Sequence, residues 1–305
     1  MEFRPSTRSQ RMIQYPWPKP EGFSEAPAWT GHGFQIGDTV VPILSYEVGS
    51  SGWMDELTRF HEDTAGSSHF IDLASRQHAL EQLHSHVRGV SPVILDIGCS
   101  SGFMLRLARE HVPHAFVIGS DYVLGPLRQL AADMPDVPLL QFDLVKCPLP
   151  PNSVDAVTLL NVLEHIQDDA AAMRQVCRIL KPGGAAVIEV PAGPGLYDVY
   201  DKLLLHHRRY TLSGLNQLAS GAGFQIANQS HLGFFIYPGF WFAKQRNKRF
   251  LPQGEDVHQQ VVARNIRETG GSRFLDVLMR IELLLGRWLF YPFGIRCLMT
   301  CLKPF

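Results

Sequence analysis

From Pro92 onward, short apolar runs alternate with amphipathic stretches. Val93 to Asp96, Ala115 to Ser120, Pro138 to Gln141, Val154 to Leu160, Ala185 to Val190 and Phe224 to Gln229 have the length and apolarity of buried strands. Between them, Phe103 to His111, Gly125 to Met134, Asp168 to Leu180 and Leu212 to Gly221 carry helical spacing. In the third of these, Met173, Val176, Cys177 and Leu180 share one face, Asp168 can cap the start, and Pro182-Gly183-Gly184 stops the helix. Strands that alternate with helices need crossover connections, so the pattern predicts an α/β fold with a doubly wound, mainly parallel sheet.

The flanks read differently. Residues 1 to about 50 are rich in Pro and Gly and include Tyr15-Pro16-Trp17-Pro18-Lys19-Pro20, which suggests an arm or lid outside the core. From about Met54 to Val87, three- and four-residue spacings predict helices laid over the sheet. The expected division is an arm and helical cap (1–87), a central core (88–233) and a helical insertion with a final strand (234–305). In the last part, Phe274, Val277, Leu278, Ile281, Leu284, Leu285, Trp288 and Leu289 form one stripe, preceded by an aromatic run from Phe234 to Phe242 and basic residues from Lys244 to Arg249. An apolar helical stripe is usually core, so its expected place is over an acceptor pocket. The competing reading is peripheral docking on a membrane or a partner.

Composition narrows the function classes. With 305 residues, 45% hydrophobic and 19% charged, the chain can bury a large core, and its formal net charge of −1 does not suggest a nucleic-acid-binding surface. No nucleic-acid partner is expected; a small-molecule substrate is. The five cysteines show no CxxC pair or zinc spacing and read as reduced thiols of a cytoplasmic protein. Neither a secretory apolar segment nor a membrane-spanning run is seen.

The candidate chemistry begins where the first apolar strand ends. Asp96-Ile97-Gly98-Cys99-Ser100-Ser101-Gly102 forms a Gly-rich turn opening a helix, which sets backbone amides beside a ligand. The glycines are spaced GxxxG rather than GxGxxG, and Asp96 would oppose a pyrophosphate. An acid there suits a ligand with an ammonium and a sulfonium, so S-adenosylmethionine is expected and a nicotinamide dinucleotide is not. Asp121, 25 positions after Asp96, stands at the next strand end, where a carboxylate can accept from ribose hydroxyls. Tyr122 offers an aromatic face for adenine, and Asp143 an acceptor for its exocyclic amine.

Residues 92 to 192 resemble the class I S-adenosylmethionine-dependent methyltransferases of the small-molecule type. The matching pieces are Val93 through Gly102, Gly119-Ser120-Asp121, Phe142-Asp143, Asp155-Ala156-Val157, Asn161-Val162-Leu163-Glu164-His165 and Leu180-Lys181-Pro182-Gly183-Gly184. The resemblance implies a seven-stranded Rossmann-like sheet, with a helical insertion before a last antiparallel strand near Gly294 to Leu302. It implies cofactor binding by Asp96, Gly98, Cys99, Gly102, Asp121, Tyr122, Asp143, Leu144 and Asn161. Ser100 stands where Gly or Ala is common in that family.

Methyl transfer from a sulfonium is an in-line displacement that depends on alignment and exclusion of water. A hydroxyl acceptor also needs a base, which directs attention to His165, His206 and His207. The run His206-His207-Arg208-Arg209-Tyr210-Thr211 resembles a His-x-Arg-Tyr segment of related enzymes and is expected to form a lid, with Arg208, Arg209 and Tyr210 as anchors. Adjacent histidines with Asp198 and Asp201 nearby raise metal binding as an alternative, but neighbours in sequence rarely converge on one ion and none is expected. Arg76 could reach the cofactor's carboxylate, although a solvated helix-face charge is the simpler expectation. The expected activity is O-methylation of an apolar, natural-product-like metabolite. Its alternatives are methylation at nitrogen or carbon of a lipid-like intermediate, or a catalytically silent cofactor-binding protein.

Overall fold

The computed structural model describes residues 15–47, 69–269 and 272–305. The helical pattern expected before Phe70 lies outside the described residues. Beyond Pro92 the chain follows the predicted alternation: β5 (Val93–Ile97), α2 (Phe103–His111), β6 (Phe116–Asp121), α3 (Leu124–Asp133), β7 (Leu139–Gln141), β8 (Val154–Leu160), α4 (Asp169–Ile179) and β9 (Leu180–Pro191). All five residues of β5 are buried, as expected for a parallel strand covered by helices on both faces.

After β9 come α5 (Val199–Leu203), α6 (Leu212–Gly221) and β10 (Gln225–Leu232). Three helices then intervene, α7 (Tyr237–Asn247), α8 (Glu255–Thr269) and α9 (Arg273–Gly286), before β11 (Arg296–Leu302). The last strand inserts between β9 and β10, antiparallel to both. Upstream, α1 (Phe70–His86) packs on the sheet, and three short strands, β1 (Ala28–Trp29), β2 (Phe34–Ile36) and β3 (Thr39–Val41), form a separate antiparallel sheet.

The main sheet has eight strands in the order β10-β11-β9-β8-β5-β6-β7-β4, one more than expected. The addition is β4 (Ile43–Ser45), which pairs parallel with β7. The order reverses between β5 and β8, and ligands of such sheets bind at the carboxyl ends of the strands beside that reversal. The glycine turn after β5 opens there.

Two expectations need correction. The Pro-rich segment is not outside the core: Tyr15 and Trp17 are buried, Trp17 packs edge-on to Phe34, and the Tyr15 hydroxyl donates to Ser153 Oγ at 2.9 Å. Proline holds the chain extended without needing backbone partners, which leaves the aromatics between the prolines free to bury. Nor does the stripe on α9 face inward. Met279 and Glu282 are its buried residues, whereas Phe274, Val277, Ile281 and Leu284 are exposed. The inner face is set by Glu282, whose carboxylate accepts from the amides of Gly233, Phe234 and Phe235 at 2.6 to 3.1 Å. A buried carboxylate clamping three amides outweighs the apolar stripe in choosing which side turns in. Among the described residues no helix is long and apolar enough to cross a membrane.

Candidate active site

The glycine turn is held by its backbone. The amides of Gly98 and Cys99 both donate to Ser120 O, at 2.8 and 2.9 Å, tying the turn to the end of β6. Gly98 has φ of +73° and Gly102 of +75°, a region costly for a residue with Cβ. A Cβ on Gly98 would sit 2.5 Å from Val162 Cγ2, so this spot must be glycine on space as well as on backbone. The Cys99 side chain turns into the core, which leaves its backbone as the part that shapes the turn.

Asp121 braces the turn from the side, accepting from Ser100 N at 3.0 Å and Val123 N at 2.9 Å. Asp96 lies beneath, fully buried, accepting from Thr158 Oγ1 at 2.6 Å. Burial pushes its carboxyl up to about 7; the Thr158 hydrogen bond opposes the shift and nearby Asp121 adds to it. A cation brought to the turn would restore the ionised form, which fits a ligand carrying an ammonium.

Arg76 is not the solvated charge expected. It is buried on α1 with its guanidinium 4.9 Å from the ring centroid of Phe103, the first residue of α2. A cation is thus fixed against Phe103, which follows the glycine turn. Burial is decided by packing between two helices, which the sequence pattern of α1 alone does not reveal.

Past the ends of β6 and β7, Tyr122 is half-exposed, and Asp143 caps a short turn by accepting from Val145 N at 2.9 Å. The side chain of Leu144 is buried in the main core. Two residues here escaped sequence reasoning. Glu47 accepts from Asp143 N at 2.8 Å, and Gln141 donates to Tyr122 O at 3.1 Å while accepting from Ser45 Oγ at 2.7 Å. Both depend on β4 joining the sheet, and nothing in the local sequence signals that pairing.

On the acceptor side, Asn161 ends β8 in the left-handed region, with φ of +57°, and its side chain reaches Glu189 Oε1 at 3.4 Å. Glu164 is completely buried, and neither of its carboxylate oxygens has a hydrogen-bond partner among the described residues. Burial pushes this carboxyl up to about 8, so it holds its proton at neutral pH. His165 is exposed and meets the His206 ring edge-on, with centroids 4.7 Å apart.

His206 is buried, and its Nδ1 lies 2.9 Å from Asp201 Oδ1. Burial holds the imidazole below its ordinary pKa, against the pull of Asp201. The neutral ring therefore donates from Nδ1 and keeps an acceptor lone pair on Nε2. Asp201 is buried too, which alone would raise its carboxyl; Lys244, His206 and Arg209 outweigh burial and hold it well below the usual carboxylate range. Lys244, from α7, donates to Asp198 Oδ1 at 2.6 Å and Asp201 Oδ2 at 3.3 Å, while Arg209 Nε donates to Asp201 Oδ1 at 2.8 Å. Asp198 and Asp201 also form a reciprocal capping box at the start of α5.

His207 does not join this group. It is exposed and contributes its backbone amide to Glu164 O at 2.8 Å. Arg208 pairs with Asp169 at 2.7 Å, and the Tyr210 hydroxyl donates to Asp169 Oδ2 at 2.8 Å, so these side chains anchor the lid. Asp198 and Asp201 are committed to Lys244 and Arg209. A different trio, Glu164, His165 and His206, offers donor atoms within 4.8 Å of one another, close enough to serve a divalent cation. Lys244 read as part of a surface basic run, and only the fold reveals its burial.

Residues 95–188 match the methyltransferase domain family, and that stretch carries the glycine turn and the strand-end acids Asp96, Asp121 and Asp143 on its Rossmann-like sheet. The relatives agree. A Mycolicibacterium smegmatis protein assigned as an S-adenosylmethionine-dependent methyltransferase is 31% identical over 144 residues, 47% of this chain and 54% of that protein. A Corynebacterium urealyticum demethylmenaquinone methyltransferase is 32% identical over 115 residues, 37% of this chain and 48% of that one. The chain spans about half the length of the curated relatives it matches. Among solved structures, Haemonchus contortus phosphoethanolamine N-methyltransferase 2 with S-adenosyl-L-methionine aligns over 85% of this chain and 61% of that one, at 17% identity and a TM-score of 0.53, a likeness of fold.

Proposed function

We propose that the protein transfers a methyl group from S-adenosylmethionine to an oxygen of a small, apolar, hydroxylated acceptor. The observation that carries this reading is the Asp201–His206 pair, with a neutral imidazole whose ring neighbours His165 and Glu164. The cofactor supplies a methyl already activated on sulfur. Asp121 and the turn amides would hold its ribose and amino-acid portions, and Arg76 would pair with its carboxylate. The acceptor's hydroxyl proton passes to Nε2 of His206 as its oxygen bonds the methyl carbon and the carbon–sulfur bond breaks. Asp201 stabilises the resulting imidazolium, and Glu164, protonated, can donate to the acceptor.

An apolar acceptor is supported by the relative named as a demethylmenaquinone methyltransferase. The demethylmenaquinone relative favours a second reading, methylation at a ring carbon after the same deprotonation.

The test is calorimetric titration of S-adenosylmethionine and S-adenosylhomocysteine into wild type and Asp121→Ala, followed by turnover of a panel of phenols and quinols with product analysis by NMR. Saturable binding that Asp121→Ala weakens, with an O-methyl product, supports the proposal. A C-methyl product selects the second reading. Binding without turnover of any acceptor favours a silent cofactor-binding protein, and no binding to folded protein overturns both.

A further inference from the structure

The outer face of α9 is an apolar surface with nothing packed on it among the described residues. Phe274 is 72% exposed and Leu284 60%, with Val277 and Ile281 between them. Just past the helix, Trp288 is 87% exposed, and Phe242 of α7 is 66%. Single exposed apolar residues are ordinary, but a continuous set on one side of a helix marks an interaction surface.

The orientation is enforced. At about 100° per residue, Phe274, Val277, Ile281 and Leu284 fall on one side of α9, away from Leu275, Met279 and Leu283, which meet the core packed against α1 and β11. The Glu282 clamp on Gly233, Phe234 and Phe235 and the Arg287–Glu81 bridge at 2.7 Å hold the helix from the inner side and at its end. Rotation to hide the apolar side would break both.

Charge selects the occupant. Arg273 and Arg280, seven residues apart, stand in one line along an edge of the apolar side, both exposed; half-buried Asp276 is the acid beside that line. Arginines along the margin of an apolar helical face can lay their stems on it and reach outward to phosphates. A second protein copy would bring the same cations against themselves or need an acidic patch opposite, whereas an anionic bilayer supplies both phosphates and an apolar interior.

We propose that α9, with Trp288, docks the protein on the surface of a bilayer containing anionic phospholipid. The helix lies in the plane of the interface with its apolar side in the acyl boundary and its arginines at the headgroups. This surface goes beyond the methyl-transfer reading and does not depend on it.

The experiment is co-sedimentation of the full chain, without cofactor or acceptor, with vesicles of phosphatidylcholine containing about one-third phosphatidylglycerol and with vesicles of phosphatidylcholine alone. Protein should pellet with the anionic vesicles and bind several-fold less at high salt. Leu284→Glu with Trp288→Glu should lower the partition at least tenfold with an unchanged melting temperature, since neither side chain is part of the core. Arg273→Glu and Arg280→Glu should each weaken it about fivefold. Failure to pellet with anionic vesicles overturns the proposal, as does equal binding by the glutamate double variant. A stable dimer in light scattering that this double variant dissolves also overturns it, because the face would then be a self-interface. Cofactor titration of the same samples separates this failure from failure of the methyl-transfer reading.

Discussion

His206 Nδ1 and Arg209 Nε converge on one oxygen of Asp201, at 2.9 and 2.8 Å. The acid that orients the ring is itself locked by a guanidinium, so the Nε2 lone pair has one direction. His206→Ala should leave cofactor affinity within about twofold and lower kcat by roughly 10²–10⁴, the range of a general base. Calorimetry beside steady-state kinetics checks this, and a variant that binds no cofactor would reassign His206 to scaffolding.

The same burial sets a pH profile. Because the folded imidazole of the free protein titrates below its ordinary value of 6.5, kcat/KM should stay level from about pH 8 to below pH 6.5 and decline only in more acid solution. An acid limb centred above the ordinary histidine value would contradict this assignment.

Glu164 makes an opposite contribution to stability. In the unfolded chain it ionises near 4.5, whereas the folded protein holds its proton up to about 8. Its contribution is full below the unfolded value and is lost as pH rises toward the folded one, by at most about 1.4 kcal/mol per pH unit. Glu164→Gln should match wild type in stability near pH 4.5 and exceed it by on the order of 3 kcal/mol at pH 9. Denaturant curves at the two pH values measure the difference; a gap that does not widen would show that the carboxyl is solvated.

Gly98→Ala combines two penalties, a left-handed backbone and a Cβ 2.5 Å from Val162. It should destabilise the fold by about 1–3 kcal/mol and weaken S-adenosylmethionine binding. Adding Val162→Ala relieves the clash but not the backbone, so thermal melts of the double variant should show partial recovery. Full recovery would mean that φ is not limiting.

Arg76→Ala should raise the dissociation constant for S-adenosylmethionine about tenfold or more, the loss of one charge-assisted hydrogen bond. Arg76→Lys should recover only part, because the ammonium lacks the guanidinium's planar fork for a carboxylate. An unchanged dissociation constant in both variants would place the guanidinium away from the ligand.

What the sequence made legible was what repeats locally. The strand–helix alternation, the glycine turn and the strand-end acids Asp96, Asp121 and Asp143 follow from period and position, and α2 and α6 span the residues expected. What it hid was long-range. β4 is three residues with no pattern of its own, and Arg76 and Lys244 look like surface charges until two helices close over them. The α9 stripe misled because an apolar arc says that a face is buried or bound, not which; Glu282, an acid on the other side, decided it.

Ser45 on β4 and Gln141 on β7 hydrogen-bond across 96 residues of chain. On a ribosome adding about 5–20 residues per second, the segment that closes this edge is made first and then waits roughly 5–20 s for its neighbour. During that interval its apolar residues have no sheet to join. A chain stalled before residue 139 would therefore expose Ile43 and Leu44 to other nascent chains, making the edge strand a point of chaperone dependence during synthesis.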